Sequence, residues 1–196
     1  MKKIIFPSLY LLLLTISSCT SNHDLFYNNI FLEIPNLVSI APHSNTYTVG
    51  EKLYIQANFS KIQNSNGKTL DLYNSTGANS FNFSYIIEKL NTSSNLWETV
   101  LFNNNSLDII NGDGQFYYDA YFYGMCILNS TSQKYEYNVG VPLSSSGSYR
   151  LYFNYNGDIA KEVQLRSQSP DTRIFLNINS AINSIDSNGY YYFTVN

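Results

Sequence analysis

The feature that most constrains the fold is an alternation of apolar and polar residues that recurs along the chain from residue 36 onward. A period of two is the pattern of a β-strand that buries one of its faces. Polar segments rich in Asn and Gly separate the alternating runs, and no segment keeps a helical period; the best helical candidate, around Ala181–Ile185, is short. The clearest runs lie at 53–60, 81–88, 135–139, 149–155 and 174–178. The chain therefore predicts an all-β fold.

Two polar segments are predicted to form hairpin turns. Residues 91–95 would join the strand at 81–88 to a strand at 96–102, which carries Trp97. Asn111-Gly112-Asp113-Gly114 contains Asn-Gly and Asp-Gly, both of which favour positive φ. This second turn is expected to join 107–110 to 115–123.

A short motif refines the fold class. Gly147-Ser148-Tyr149-Arg150-Leu151 resembles the tyrosine corner at the start of strand F in immunoglobulin-like domains. This chain has Ser145 and Leu151 where immunoglobulin domains have Asp and Cys, and it lacks a cysteine pair between sheets. The resemblance implies one antiparallel, immunoglobulin-like β-sandwich domain, expected over residues 34–196.

The N-terminal segment has a different character. Met1-Lys2-Lys3 is basic, and the apolar run from Ile4 to Ile16 is shorter than the roughly 20 residues of a membrane-spanning helix. These features match a secretory signal peptide. Ile16-Ser17-Ser18-Cys19 resembles the lipobox of bacterial lipoproteins. The resemblance implies removal of residues 1–18, a diacylglyceride on Cys19, and a further fatty acyl chain, such as palmitate, on its amino group.

The lipobox resemblance also implies a location. Two or more acyl chains hold a protein stably on a membrane, and residues 19–33 would form the lipidated N-terminus and a polar tether. In lipoproteins an Asp after the lipidated cysteine is typical of inner-membrane retention, and this chain has Thr20. We therefore expect a cell-envelope protein on the outer membrane, where the cell has one, on a face that the sequence does not indicate.

Charge excludes one class of partner. The whole chain has 11 basic and 14 acidic residues, and loss of Lys2 and Lys3 with the signal peptide leaves a net charge of −5. Nucleic-acid binding needs clustered positive charge, so no nucleic-acid partner is expected. The second cysteine, Cys126, lies in an apolar run and is predicted to be a buried small hydrophobe.

The segment 116–123 is the most aromatic part of the chain. If it forms one strand, one face presents Phe116, Tyr118, Ala120 and Phe122 to the core, and the other presents Tyr117, Asp119, Tyr121 and Tyr123. Tyrosine combines a rigid apolar ring with a polar tip, which suits contact with a ligand at a wet surface. These four outer residues are the predicted ligand-binding site, with a glycan as the sharpest candidate ligand. The alternative is a strand that is simply covered on both faces.

The residues that usually carry catalysis are few. The two histidines, His23 and His43, lie in no recognisable catalytic context. Asp108 and Asp119 flank the predicted turn at 111–114 and would face each other across it, which is the arrangement a carboxylate-dependent glycoside hydrolase needs. Asn111, Asp113 and Gln115 alternate like calcium ligands but fail the EF-hand pattern.

Two hypotheses follow. The favoured one is a lipid-tethered, non-catalytic module of the cell envelope, with no cofactor or metal, that binds a glycan or an envelope protein. The alternative is a glycoside hydrolase that uses the carboxylates near the 111–114 turn. Replacing Tyr121 by Ala separates the first from the second, since a binder loses affinity and shows no turnover.

Overall fold

The regular secondary structure of the described part of the protein is almost wholly β-strand. The computed structural model describes residues 28–65, 67–118, 120–153 and 161–196. Within these ranges it has one short helix, α1 (Leu72–Thr76), and a 3-10 turn at Asn104–Ser106. The strands are β1 (Asn28–Glu33), β2 (Val38–Ala41), β3 (Thr46–Tyr47), β4 (Lys52–Ser60), β5 (Ile62–Ser65), β6 (Lys68–Asp71), β7 (Ser80–Asn91), β8 (Leu96–Thr99), β9 (Asp108–Asn111), β10 (Asp113–Tyr117), β11 (Tyr121–Asn129), β12 (Lys134–Pro142), β13 (Gly147–Tyr152), β14 (Glu162–Ser167), β15 (Ile174–Ala181) and β16 (Tyr191–Val195). The all-β prediction is confirmed.

The strands form one large curled sheet that branches at β7. The main path runs β1-β15-β14-β7-β11-β12-β4-β2, with β10 paired to β11 and β9 to β12. The first half of β7 pairs with β11 and β14, whereas its second half pairs with β8 and β13. Strand β16 then joins β13, and β3 joins β16. Strands β5 and β6 form a separate hairpin. The long strand β7 therefore joins the two parts of the sheet.

The core enclosed by this sheet is unusually rich in aromatic rings. Tyr85 stacks on Phe122 with 4.7 Å between ring centroids, and Phe83 meets Tyr137 edge-on at 5.0 Å. The hydroxyls of Tyr85 and Tyr137 form a buried hydrogen bond of 3.0 Å. Fully burying a large side chain stabilises a fold by roughly 1.5–3 kcal/mol. Cys126 is completely buried in the same core, which confirms the prediction of a buried cysteine, and this burial raises the pKa of its thiol.

Two local predictions are confirmed. Strands β7 and β8 form the expected hairpin, in which Asn91 pairs with Leu96. The hydroxyl of Tyr149 donates to the backbone carbonyl of Ser145 at 2.7 Å, which is the contact that defines a tyrosine corner.

The prediction that all strands are antiparallel is wrong at two edges. Strand β1 runs parallel to β15, and β3 runs parallel to β16. Parallel neighbours need long connections, and both pairs join the N-terminal part of the chain to its C-terminal part. Strand β1 also moves the start of the sheet to Asn28, before the boundary predicted at 34. Residues 28–33 therefore belong to the sheet, and residues 1–27, with Cys19, lie outside the described ranges.

The hairpin predicted at 111–114 is also wrong. Strand β9 pairs with β12, and β10 pairs with β11, so this segment carries the chain from one strand pair to the next. Gly112 has a φ of 74°, and a Cβ there would lie 2.6 Å from the carbonyl oxygen of Met125. Glycine is therefore required for a close backbone approach as well as for its φ.

The short helical candidate around Ala181–Ile185 does not form a helix. Strand β15 runs to Ala181, and residues 182–185 form a turn. The helix of the described chain is α1 instead. The side chain of Asp71 caps it by accepting from the backbone N–H of Asn74 at 2.9 Å, and Gly77 ends it with a φ of 71°.

Candidate functional site

The aromatic segment 116–123 is a hairpin, and the prediction of one continuous strand is wrong. Strands β10 and β11 pair with Phe116 opposite Phe122 and Tyr117 opposite Tyr121. Tyr118 begins the loop between them with a φ of 50° and is 88% exposed, so it does not face the core. Phe116 and Phe122 are buried, as predicted.

Three of the four predicted site residues still share the outer face, for a different reason. The hairpin register places Tyr117 beside Tyr121, and strand alternation places Tyr123 on the same face. The Tyr117 ring lies 6.3 Å from that of Tyr121 and 5.8 Å from that of Tyr123. All three side chains are half-buried. Asp119, the fourth predicted residue, lies outside the described ranges.

Beside these rings is a cleft of about 650 Å³, which we call the tyrosine cleft. Strands β15, β14, β7 and β11 are consecutive in the sheet, and the cleft crosses all four. Its lining includes Asn82 from β7, Tyr121 and Tyr123 from β11, Arg166 from β14, Gln168, and Phe175 from β15. This volume lies within the range of about 300–1,000 Å³ that is usual for small-molecule sites.

Asn82 forms hydrogen bonds to residues on both sides of the tyrosine cleft. Its side-chain amide donates hydrogen bonds to the hydroxyl of Tyr123 and to Oε1 of Gln168. Because the Tyr123 hydroxyl accepts this bond, its own proton stays available to donate. Burial raises the pKa of Tyr123 above its usual 10.0, so that hydroxyl is protonated at neutral pH. Asn82 is only 8% exposed, and its Oδ1 is buried without a hydrogen-bond partner in the described part of the protein.

Arg166 gives the tyrosine cleft a positive charge. Its guanidinium lies 4.3 Å from the centroid of the Phe175 ring, a cation–π contact that orients it. No carboxylate of the described ranges lies within 4.0 Å of it, and no Asp or Glu of those ranges lines the cleft. The cleft therefore offers aromatic faces, amide groups and one cation, which is the chemistry of a site for a polar, ring-containing ligand.

Asp108 does not have the environment of a general acid. Its carboxylate accepts hydrogen bonds from Nζ of Lys52 at 2.6 Å and from the hydroxyl of Tyr54 at 2.8 Å. These two contacts hold the pKa of Asp108 below its usual value, whereas a general acid needs a raised pKa. Because β9 pairs with β12, the predicted hairpin that would bring Asp108 opposite Asp119 does not form.

The calcium-like alternation at 111–115 has a local role. Oδ1 of Asp113 accepts from the backbone N–H of Gly114 at 2.8 Å, as expected for Asp in a turn. No group of three or more His, Cys, Asp or Glu side chains is close enough to hold a metal ion, within the ranges that the structure describes.

A second aromatic surface, which the sequence did not predict, lies on the outer face of β8, β13 and β16. The guanidinium of Arg150 sits 4.6 Å from the ring centroid of Trp97 and 4.4 Å from that of Tyr190. It also forms an ion pair of 2.5 Å with Glu88. Trp97 contacts Tyr192 at 5.9 Å beside a cleft of about 780 Å³. The apolar-polar alternation of the sequence places Arg150 and Tyr192 on outer strand faces, but it does not show that they are neighbours. The sheet register makes them neighbours, because Arg150 pairs with Glu88 on one side and with Tyr192 on the other.

Comparisons with known proteins leave the family open. No family model matches the chain, and no curated protein matches it. Among solved structures, the reeler domain of human F-spondin is similar with a TM-score of 0.37 and 11% identity, over 86% of this chain and 95% of that domain. Within the described residues, no helix is both long enough and apolar enough to cross a membrane. Function must therefore be inferred from the cleft.

Proposed function

We propose that this protein is a lipid-anchored module of a bacterial cell envelope that binds a glycan in the tyrosine cleft without catalysing a reaction. The observation that carries the proposal is the cleft of about 650 Å³ in which two tyrosines face amide groups and a guanidinium. The C–H face of a sugar ring packs on an aromatic ring, while its hydroxyls exchange hydrogen bonds with amides and tyrosine hydroxyls.

The position of the cleft on paired strands supports a binding role. Tyr121 and Tyr123 lie on β11, next to Asn82 on β7. A site built on strands holds its side chains more precisely than a site on loops, and less entropy is lost when the ligand binds. The hydrogen bond from Asn82 to Tyr123 further restricts the Tyr123 ring.

The proposed anchor is the lipid on Cys19. The sheet begins at Asn28, so residues 19–27 connect it to the lipid. When fully extended, this segment spans at most about 32 Å. The module would therefore act close to the membrane, which we propose is the outer membrane. The tyrosine corner at Tyr149 supports an immunoglobulin-like sandwich as the finer description of its fold.

A glycan-binding screen tests the proposal. The full chain, purified from bacterial membranes in detergent, is applied to an array of bacterial and host polysaccharides, and hits are measured by calorimetry. We expect the Tyr121→Ala and Tyr123→Ala variants to lose affinity at least about tenfold, or 1.4 kcal/mol, with little change in unfolding temperature. Tyr192→Ala is the matched control, since Tyr192 is a half-exposed tyrosine on the other aromatic surface.

The same samples distinguish the hydrolase alternative. A binder releases no new reducing ends from a bound glycan during prolonged incubation. Release of product that disappears in Asp108→Asn or Asp119→Asn would support the glycoside hydrolase instead. Absence of glycan binding, or full affinity in both cleft variants, would contradict the proposal.

A further inference from the structure

We infer that the tyrosine cleft selects an acidic glycan, whose carboxylate binds Arg166. This inference rests on the proposed function in taking a glycan as the ligand. It adds the chemical class of the sugar and names the residue that binds its carboxylate.

The charge of Arg166 is not neutralised within the described protein. Three other cations of the described ranges have carboxylate partners: Lys52 with Asp108 at 2.6 Å, Lys61 with Asp71 at 3.9 Å, and Arg150 with Glu88 at 2.5 Å. The comparison with Arg150 is the most informative, because both arginines lie over aromatic rings on an outer sheet face. Arg150 carries its own counter-ion, and Arg166 has none in these ranges.

Glu162 and Glu33, two acidic side chains of the described ranges on the same face, form no ion pair with Arg166. Glu162 lies four residues earlier on β14, which is about 13 Å along the strand. Glu33 accepts a hydrogen bond of 2.9 Å from the side-chain amide of Asn179. Neither lines the tyrosine cleft. The Arg166 guanidinium is therefore available to bind an anionic group that enters the cleft.

The sheet register places Arg166 where it can bind the charged group of a sugar that rests on the tyrosines. Arg166 pairs with Asn82 on β7, and Tyr123 lies on the next strand, β11. Two strand spacings separate the strands of Arg166 and Tyr123 by about 9–10 Å. A sugar ring can therefore lie across Asn82 with its carboxylate toward Arg166 and a ring face toward Tyr123.

The groups around Arg166 also suit a carboxylate. A guanidinium presents paired N–H donors that match the two oxygens of a carboxylate. Gln168 uses its Oε1 to accept from Asn82, which leaves its N–H groups available as further donors beside the guanidinium. The contact of Arg166 with Phe175 holds the guanidinium plane in place before the ligand arrives.

Matched pairs of oligosaccharides test the inference. Oligomers of galacturonic acid, of glucuronic acid and of N-acetylneuraminic acid are each compared with their carboxyl-reduced counterparts, using calorimetry on the full chain. We expect at least one acidic member to bind at least tenfold more tightly than its reduced form, and this preference to weaken as salt is added. Arg166→Gln should remove the preference and leave the weaker affinity for the reduced form, and Arg166→Lys should keep part of it. Arg173→Gln is the matched control, because Arg173 is exposed and outside the cleft lining.

The outcomes distinguish failure of the inference from failure of the proposed function. Equal binding of acidic and reduced forms, or an acidic preference that persists in Arg166→Gln, overturns the inference and leaves the glycan-binding proposal standing. Binding of only neutral glycans from the array has the same meaning. Failure of every glycan to bind overturns both.

Discussion

The buried hydrogen bond between Tyr85 and Tyr137 predicts an unusual pattern of stability. Replacing Tyr85 by Phe removes one hydroxyl and leaves the other in the core without a partner. The two hydroxyls are 3.0 Å apart, and the residues are 0% and 1% exposed. In the described protein neither hydroxyl has another hydrogen bond. Phenylalanine keeps the ring and its packing, so the change acts mainly on the hydrogen bond.

The size of the stability loss follows from the lack of any other hydrogen-bond partner for either hydroxyl within the described ranges. An unsatisfied buried polar group costs about 1–3 kcal/mol, so Tyr85→Phe and Tyr137→Phe should each lower the free energy of unfolding by that amount. For a domain of this size each kcal/mol corresponds to a change in Tm of about 2–4 °C. The double variant removes both hydroxyls and leaves none unsatisfied, so it should be more stable than either single variant.

Urea unfolding of the four proteins measures this effect. The midpoint should fall in each single variant and recover in the double variant, with no change in the m-value. Affinity for the glycan should stay constant, because neither residue lines the tyrosine cleft. A double variant that is destabilised by the sum of the two single effects would refute the reasoning.

Three further predictions concern single side chains. Cys126 should react with a thiol reagent only after unfolding, since it is fully buried and burial raises the pKa of its thiol; peptide mapping that finds Cys126 modified in the folded protein would contradict this. Lys52 and Tyr54 lower the pKa of Asp108 from its usual 3.8, so the ionised carboxylate stabilises the fold above pH 3.8 and this contribution disappears as the pH falls through the lowered folded-state value. Asp108→Asn should therefore reduce stability at neutral pH and have less effect in acid, as followed by thermal unfolding across pH; an equal loss at both ends of the range would show that another cause dominates. Mass spectrometry of the protein from membranes should find an acylated N-terminus at Cys19, and an intact Met1 or an unmodified Cys19 would argue against the proposed anchor.

The tyrosine site shows how far alternation alone can predict a surface. The outward grouping of Tyr117, Tyr121 and Tyr123 was predictable, because a hairpin with this register preserves the same faces as a straight strand. The break at Tyr118 was not. A tyrosine carries no turn signal of the kind that Asn or Gly gives, although Tyr118 has a φ of 50°. The position of the loop follows from the pairing of β11 with both β10 and β7.

Pairing between strands that are distant in the chain explains the contacts that the sequence did not predict. Arg166 and Phe175 meet because β14 and β15 are neighbours, and both reach the tyrosines because β7 lies between β14 and β11. Nothing in the local pattern of 162–167 indicates which strand will flank it. The Asn-Gly step at 111–112 failed as a hairpin signal for the same reason: β9 and β10 find partners in β12 and β11 and do not pair with each other.

The most direct measurement is a crystal structure of the full chain with the oligosaccharide that binds most tightly in the screen. The proposal predicts a sugar ring packed against Tyr121 and Tyr123, with its carboxylate at the guanidinium of Arg166. A sugar bound against Trp97 and Tyr192, with the tyrosine cleft empty, would show that the wrong surface has been assigned.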